Sequence, residues 1–266
     1  MNASKSVKCV WVTGMPRSGS TWVHNVTRAA FRATGWQVFP SQVPQDPNDM
    51  YAQADQALVD TDPNRIWVLK VHRYLRPDAP LSKFINTHRD LRDALVSFMR
   101  FMESDFEQAL RAMIESAEKT DHYYRHFSPD SILHLRYTDI TNRPFEVVRT
   151  ISGFCDVGLT KTEIGNIVTR FDRVNVERLI HDKEVDLERR ARNGEPIART
   201  EFVPQRFRRD MVRVFDPATG FQSGHLSGYR DGDWRKLLTA DQQEQIYVYL
   251  GEWLQRYGYT DKSGPR

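Results

Sequence analysis

Short apolar runs that stop at turn residues alternate along this chain with stretches whose apolar positions recur every three or four residues. Residues 8–13 (KCVWVT) are β-branched and aromatic and stop at Gly14, which predicts a strand entering a turn. Residues 21–34 follow with Trp22, Val23, Val26, Ala29, Ala30 and Ala33 at helical spacing. Pro40, Pro44, Pro47 and Pro63 make residues 40–64 mostly loop, with room for one short helix. Continuous apolar runs at 65–71 and 84–88 predict two more strands, of the kind buried on both faces of a sheet. Asp90 is placed to cap a helix through Met102, with Leu91, Ala94, Leu95, Phe98 and Met102 as its apolar stripe. A helix over 106–119, a fourth strand over 131–136 and helices near 144–154 and 161–171 follow, and an amphipathic helix over about 240–257 comes last. Residues 174–213 carry both charge signs without an apolar period and read as helix fragments and mobile loop, and 216–234 are rich in turn-formers. Strands alternating with helices predict an α/β fold: a single domain with a central, mostly parallel sheet flanked by helices.

Composition narrows the function classes. A chain of 266 residues with 14 Phe, 10 Tyr and 6 Trp can bury enough surface to fold, which excludes general disorder. Cys9 and Cys155 are the only cysteines, so there is no disulfide framework and no multi-cysteine zinc site, and the usage suits a reducing compartment. The first residues lack an apolar leader and no run approaches 18 apolar residues, so the expectation is a cytoplasmic protein without a membrane span. The net charge of +3 says little, but its distribution says more. Residues 1–40 hold Lys5, Lys8, Arg17, Arg28 and Arg32 with no acid, whereas 41–64 hold Asp46, Asp49, Asp55, Asp60 and Asp62 with no base. The basic block is either an anion-binding element or a solvated face. In 174–213 the basic residues interleave with acids instead of forming a stripe, so nucleic acid is not an expected partner.

The sharpest chemical signal is the predicted strand–turn–helix around Gly14-Met15-Pro16-Arg17-Ser18-Gly19-Ser20-Thr21. A glycine-bearing turn feeding a helix start aims backbone N–H groups and the positive dipole end at one spot, an anion site. The alternative is a serine-rich turn that only caps a helix. Gly14, Gly19 and Thr21 match the nucleotide-binding pattern GxxxxGK[ST], which makes the fold P-loop NTPase-like, but Ser20 stands where that pattern has lysine. The strand at 65–71 carries Lys70 and no aspartate to hold magnesium. Both departures weigh against a small-molecule kinase using ATP.

Pro16-Arg17-Ser18-Gly19-Ser20-Thr21-Trp22 resembles the 5′-phosphosulfate-binding loop of the sulfotransferases that use 3′-phosphoadenosine 5′-phosphosulfate (PAPS). Lys70-Val71-His72 is similar to that family's Lys-x-His element, whose histidine is the base for the acceptor hydroxyl. Arg89 with Ser97 eight residues later resembles its 3′-phosphate segment, which implies that both meet one phosphate, while Arg92 and Asp93 between them read as a solvated face. Tyr137 stands in a strand-end tyrosine segment that contacts the nucleotide in the family. Thr169-Arg170-Phe171 matches a Thr-x-Phe element that helps hold adenine, with Trp22 on the other side. On the residues alone, Trp22 and Phe171 also read as ordinary core. Gly232-Asp233-Trp234 resembles a C-terminal signature, but the family's upstream Arg-Lys-Gly is absent from 224–230, leaving His225, Arg230 or backbone amides to replace it. A C-terminal dimer motif of the cytosolic animal enzymes is missing too, so oligomeric state does not transfer.

The resemblance spans about residues 8–257. It implies in-line sulfuryl transfer from PAPS to a hydroxyl of a small-molecule or glycan acceptor. His72 would serve as base, Arg17 would act on the leaving phosphate and Lys70 on the sulfuryl oxygens, with no metal required. The variable segments 40–64 and 174–230 are expected to meet the acceptor, with 174–230 a lid or acceptor-side insertion. The acidic 40–64 block suggests an acceptor with a cationic group. A non-catalytic nucleotide-binding protein is the other alternative, opposed by the presence of Lys70 and His72.

Overall fold

The innermost strand residues are β-branched and dry: Val10, Val12, Ile66, Val68 and Ile85 are each 0% exposed, as a sheet covered on both faces requires. The computed structural model describes residues 7–204, 212–226 and 228–260. Five strands, β1 (Cys9–Gly14), β2 (Gln37–Phe39), β3 (Arg65–Lys70), β4 (Ser82–His88) and β5 (Ile132–Arg136), form one parallel sheet in the order β2-β3-β1-β4-β5. A short antiparallel pair, β6 (Phe202–Pro204) and β7 (Val212–Val214), lies apart from it. The helices are α1 (Ser20–Ala33), α2 (Ala54–Val59), α3 (Leu91–Met102), α4 (Phe106–His126), α5 (Tyr137–Asn142), α6 (Pro144–Phe154), α7 (Lys161–Arg170), α8 (Arg173–Arg192), α9 (Trp234–Leu237) and α10 (Ala240–Arg256).

Alternation along β1 divides the core. Val10 and Val12 pack with α1, α6 and α7 on one face, while Cys9 and Trp11 pack with Met50, Tyr123 and Phe127 on the other. A third cluster joins α3, α4, α9 and α10 through Leu95, Met113, Trp234 and Leu250. The α/β class and all four anticipated strands are therefore present. β2 was not anticipated: three residues, with Gln37 exposed, carry too little periodicity to register.

Residues 174–213 correct the reading of helix fragments and mobile loop. α8 is one 20-residue helix with only Val176 and Leu187 buried, so an apolar period had nothing to mark. Asp172 caps it by accepting from the Asn175 amide, and pairs three or four residues apart run along it, including Arg173–Glu177 (2.9 Å) and Arg192–Glu188 (3.2 Å). Glu201, beside β6, ties that pair back to α8 through Lys183 (2.5 Å) and Arg190 (2.8 Å). The remainder of the anticipated loop, 205–211, lies outside the described residues.

The basic block resolves into separate roles. Arg28 is 1% exposed and donates to the carbonyls of Ala218 (2.8 Å), Pro40 (2.9 Å) and Ser41 (3.0 Å), so it is an internal clamp on two loops. Arg32 is exposed, Lys8 donates to the Asp62 carbonyl, and Lys5 lies outside the described residues. Of the four that are described, Arg17 alone reaches the site described below.

The parallel order brings the carboxyl ends of β1, β3, β4 and β5 to one edge, where open α/β sheets bind ligands. β1 ends there against β4. A Cβ on Gly14 would lie 2.2 Å from Thr87 Oγ1 and 2.4 Å from the Thr87 carbonyl oxygen, at φ +147°. Gly14→Ala should therefore destabilise the fold by at least about 2–3 kcal/mol, read as a fall in the urea midpoint at unchanged m-value.

Candidate active site

β1 cannot continue past Gly14, and the chain turns through residues 15–19 into α1. Ser18 is fully buried, its Oγ 2.7 Å from the Met15 carbonyl oxygen and 2.6 Å from Thr87 Oγ1, so its hydroxyl fixes the shape of the turn. Arg17 holds a left-handed φ of +66° and Gly19 one of +86°. Gly19 is the N-cap of α1 and supplies no side chain, and the first turn carries no acid. The leading amides of α1 thus keep their donors and dipole directed at the loop's concave side.

That side opens into a cavity of about 410 Å³, whose wall includes Arg17, Thr21, Trp22, Arg89, Tyr137 and Phe171. Gly19 and Ser20 line it too. Arg17 donates from Nε to Ser97 Oγ (2.9 Å) and from Nη2 to the His225 carbonyl (2.7 Å), and its guanidinium lies 4.3 Å over the Phe101 ring. Burial lowers its pKa to about 10, which leaves it a cation at neutral pH. Arg89, at the end of β4, is 3% exposed; it lies 4.0 Å over the Tyr137 ring and pairs with Asp231 at 2.7 Å. Its Nε is buried without a hydrogen-bond partner among the described residues. Trp22 Nε1 donates to the Phe171 carbonyl at 2.9 Å, which sets the two rings' elements together at the cavity.

Two candidates sit differently from the sequence expectation. Ser97 is 1% exposed and bonded to Arg17, not to Arg89. Thr169 is exposed and outside the cavity wall; its carbonyl accepts from Asn175 Nδ2 at 2.6 Å, so its backbone serves the start of α8.

Lys70 ends β3, 7% exposed, and donates from Nζ to Thr21 Oγ1 at 2.9 Å. Burial first, then the Arg17 charge, lowers its pKa to about 8. His72, two residues on, places Nδ1 2.9 Å from the Gly14 carbonyl oxygen. A carbonyl can only accept, so Nδ1 carries the hydrogen and the neutral ring's lone pair is on Nε2. Burial, then the Lys70 charge, holds the His72 pKa down to about 4, so the ring is neutral at physiological pH, with its lone pair able to accept a proton. His72 and Pro16 line a second cavity of about 400 Å³, with Asn86, Ser116, Lys119 and Tyr123 among its other walls. The loop divides the two spaces: Thr13 to Pro16 face the second, and Arg17 with Gly19 to Trp22 face the first. Among the described residues, none of 40–64 lines either cavity. Two of that block's carboxylates, Asp60 and Asp62, are paired with Arg65.

The expectation of a solvated face at Arg92 and Asp93 is overturned. Arg92 is 3% exposed, bonded to Asp90 at 2.7 Å and 4.2 Å over the Trp234 ring. Asp93 is 5% exposed and accepts the Gly232 amide through both oxygens (2.9 and 3.0 Å). The two side chains anchor the Gly-Asp-Trp segment, which in turn delivers Asp231 to Arg89. Sequence reasoning also missed Phe101, whose ring lies under both Arg17 (4.3 Å) and Arg213 (4.0 Å). Of the replacements weighed for Arg-Lys-Gly, His225 lines the first cavity, whereas Arg230 is exposed and outside its wall; Ser227 lies outside the described residues.

Among the described residues, no group of three or more His, Cys, Asp or Glu gathers as metal ligands, and no helix is long and apolar enough to cross a membrane. The sulfotransferase domain family model matches residues 8–177. No curated protein matches the chain by sequence. Among solved structures, retinol dehydratase in complex with androsterone and the inactive cofactor PAP is 15% identical, with 98% of this chain and 83% of that one covered at a TM-score of 0.58. A mouse sulfotransferase complexed with PAP is 12% identical, with 96% and 86% covered at a TM-score of 0.57. At such identities the likeness is one of fold.

Proposed function

This chain belongs to the sulfotransferase domain family, and from that premise we propose that it transfers a sulfuryl group from PAPS to the hydroxyl of a small acceptor, with His72 as base. The observation that carries the reading is the meeting of three groups on one loop. Arg17 and Lys70 converge beside the uncapped start of α1, and His72 is held from behind the same loop by the Gly14 carbonyl.

The residues present fit a doubly phosphorylated adenosine carrier. The first cavity has the size of a nucleotide site, aromatic walls in Trp22 and Phe171, and a buried guanidinium nitrogen on Arg89 that lacks a partner. Two solved relatives of this fold hold PAP, the desulfated carrier. When bound, PAPS supplies sulfur already activated by a mixed anhydride. Arg17 and the α1 amides stabilise negative charge at the 5′-phosphate, and the Lys70 ammonium stabilises the sulfuryl oxygens. Arg89 serves the 3′-phosphate, exchanging Asp231 for the ligand, whereas Ser97 holds the Arg17 guanidinium in place. Nε2 of His72 takes the acceptor proton while Nδ1–H stays on Gly14, which keeps the ring aimed.

The acceptor enters on the His72 side, where the second cavity offers amide, hydroxyl and ammonium groups. From 174–230, Val176, Phe221, His225 and Leu226 line the donor-side cavity, so the described part of that segment meets the donor and not the second cavity. A kinase reading is not favoured, because Ser20 occupies the lysine position and β3 ends in Lys70.

Thermal unfolding with and without nucleotides tests the donor. PAP at 100 times its dissociation constant should stabilise the chain by about 2.7 kcal/mol, raising the melting temperature by several degrees. ATP with magnesium at equal concentration should shift it far less. An equal or larger shift with ATP and magnesium, and none with PAP, would reverse the assignment.

A further inference from the structure

The sequence offered His225 only as one possible replacement for Arg-Lys-Gly at the 3′-phosphate; the structure brings its ring to the start of α1, at the loop. Its Nε2 lies 3.4 Å from Thr21 Oγ1, the same hydroxyl that receives Lys70 Nζ at 2.9 Å. Its carbonyl accepts from Arg17, and its ring stacks on Phe101 with centroids 5.3 Å apart and planes at 30°. Phe221 closes the edge at 5.7 Å. Nδ1 is buried without a hydrogen-bond partner among the described residues, although His225 forms part of the donor cavity wall. A half-buried imidazole with its Nδ1 unmatched among the described residues, set beside a helix start and two cations, is placed to donate to an anion.

We infer that His225 binds the 5′-phosphosulfate end of the donor, donating a ring N–H to a phosphate oxygen beside Arg17 and Lys70. The inference rests on the PAPS reading above and adds a residue and a subsite to it. Thr21 fixes the subsite: it lies in the first turn of α1, at the loop, whereas Arg89, assigned to the 3′-phosphate, stands at the end of β4. His225 therefore does not stand in for Arg-Lys-Gly at the 3′-phosphate.

The charged and titratable groups facing the ring are Arg17 from the loop, Lys70 and His72 from the end of β3, and Arg213 from β7. Burial and these neighbours keep the ring neutral without ligand. A phosphate dianion seated among them reverses the balance and favours the imidazolium. Donor binding then draws a proton from solvent onto His225, where it stays through the transfer; the acceptor proton goes to His72, the S–O bond to the 5′-phosphate breaks and the S–O bond to the acceptor forms.

Calorimetric titration of the full chain with PAP at pH 7, in two buffers of different ionisation enthalpy, counts that proton. Wild type should take up a measurable fraction of one proton more than His225→Gln. The variant should bind PAP at least ~10-fold more weakly, as expected when one hydrogen bond to a charged group is lost. It should bind adenosine 3′-phosphate, which lacks the 5′-phosphate, as wild type does. Unchanged PAP affinity in the variant, or equal weakening of both nucleotides, would overturn the assignment. Lys70 and the nucleotide phosphates also contribute to the wild-type count, so the readout is the difference between wild type and variant. Should His225→Gln not fold, His225→Asn is read in the same way, and a proton count equal to that of wild type in the folded variant overturns the assignment. A wild-type chain that binds neither nucleotide would bring down the donor reading itself, a result plainly different from normal binding with an indifferent variant.

Discussion

His72→Ala should lower turnover of PAPS with any accepted hydroxyl at least ~10²-fold, the usual contribution of a positioned base, while PAP still binds. The separation follows from geometry: His72 lines the second cavity, and the cavity proposed for the nucleotide lies on the other side of the loop. The mechanism of the loss is specific. With Nδ1–H given to the Gly14 carbonyl, the basic atom is Nε2, and no other imidazole lines that cavity among the described residues. A folded state confirmed by an unchanged melting curve would separate this from loss of the Gly14 contact. The His72 pKa of about 4 places the acid limb of kcat/KM near that value, where protonation removes the base. Turnover within a few-fold of wild type would remove His72 from the role.

Lys70→Ala carries the second large effect, a fall in kcat/KM of about 10²–10³-fold, the range seen when one preorganised donor to developing charge is removed. Here the pH dependence gives an independent check. Lys70 titrates at about 8 in the ligand-free chain, so its ammonium is intact below that pH and is lost above it. The free-enzyme profile should fall about tenfold per unit above pH 8. Lys70→Arg retains a cation throughout, so its activity, whatever its level at pH 7, should stay flat from pH 8 to pH 10. In kcat the limb should move upward, because bound phosphosulfate stabilises the ammonium. An alkaline limb unchanged in Lys70→Arg would assign it to another group.

The parts of this site that sequence made legible are those in which chemistry and element boundary coincide. Gly14 through Trp22 form one local strand–turn–helix, and Lys70 and His72 stand at the end of an unbroken apolar run; both patterns are set by neighbours in the chain. Asp90 as a cap was readable for the same reason and is bonded to the Arg92 amide. What could not be read depends on distant segments. His225 could be named only as one of several replacements for the missing Arg-Lys-Gly; its contact with Arg17, across 208 residues, is written in no local pattern. Arg92 and Asp93 are charged residues on a helix, a pattern that ordinarily marks a wet face; they are dry because Trp234 and Gly232 return to cover them. α8 escaped because its continuity comes from ion pairs along its length and a cap at Asp172, with two buried anchors in twenty residues.

The partition of the loop, with Thr13 to Pro16 toward one hollow and Arg17 with Gly19 to Trp22 toward the other, has a kinetic corollary. With the carrier in the first hollow and the acceptor in the second, as proposed, the two can be bound at once and react without a form that holds the cargo on the protein. Initial-rate plots should give intersecting lines, not the parallel ones of a shuttle that parks its cargo on the protein. The spent nucleotide and the fresh acceptor can then share the molecule unproductively, so high acceptor concentrations slow turnover once nucleotide release becomes the bottleneck.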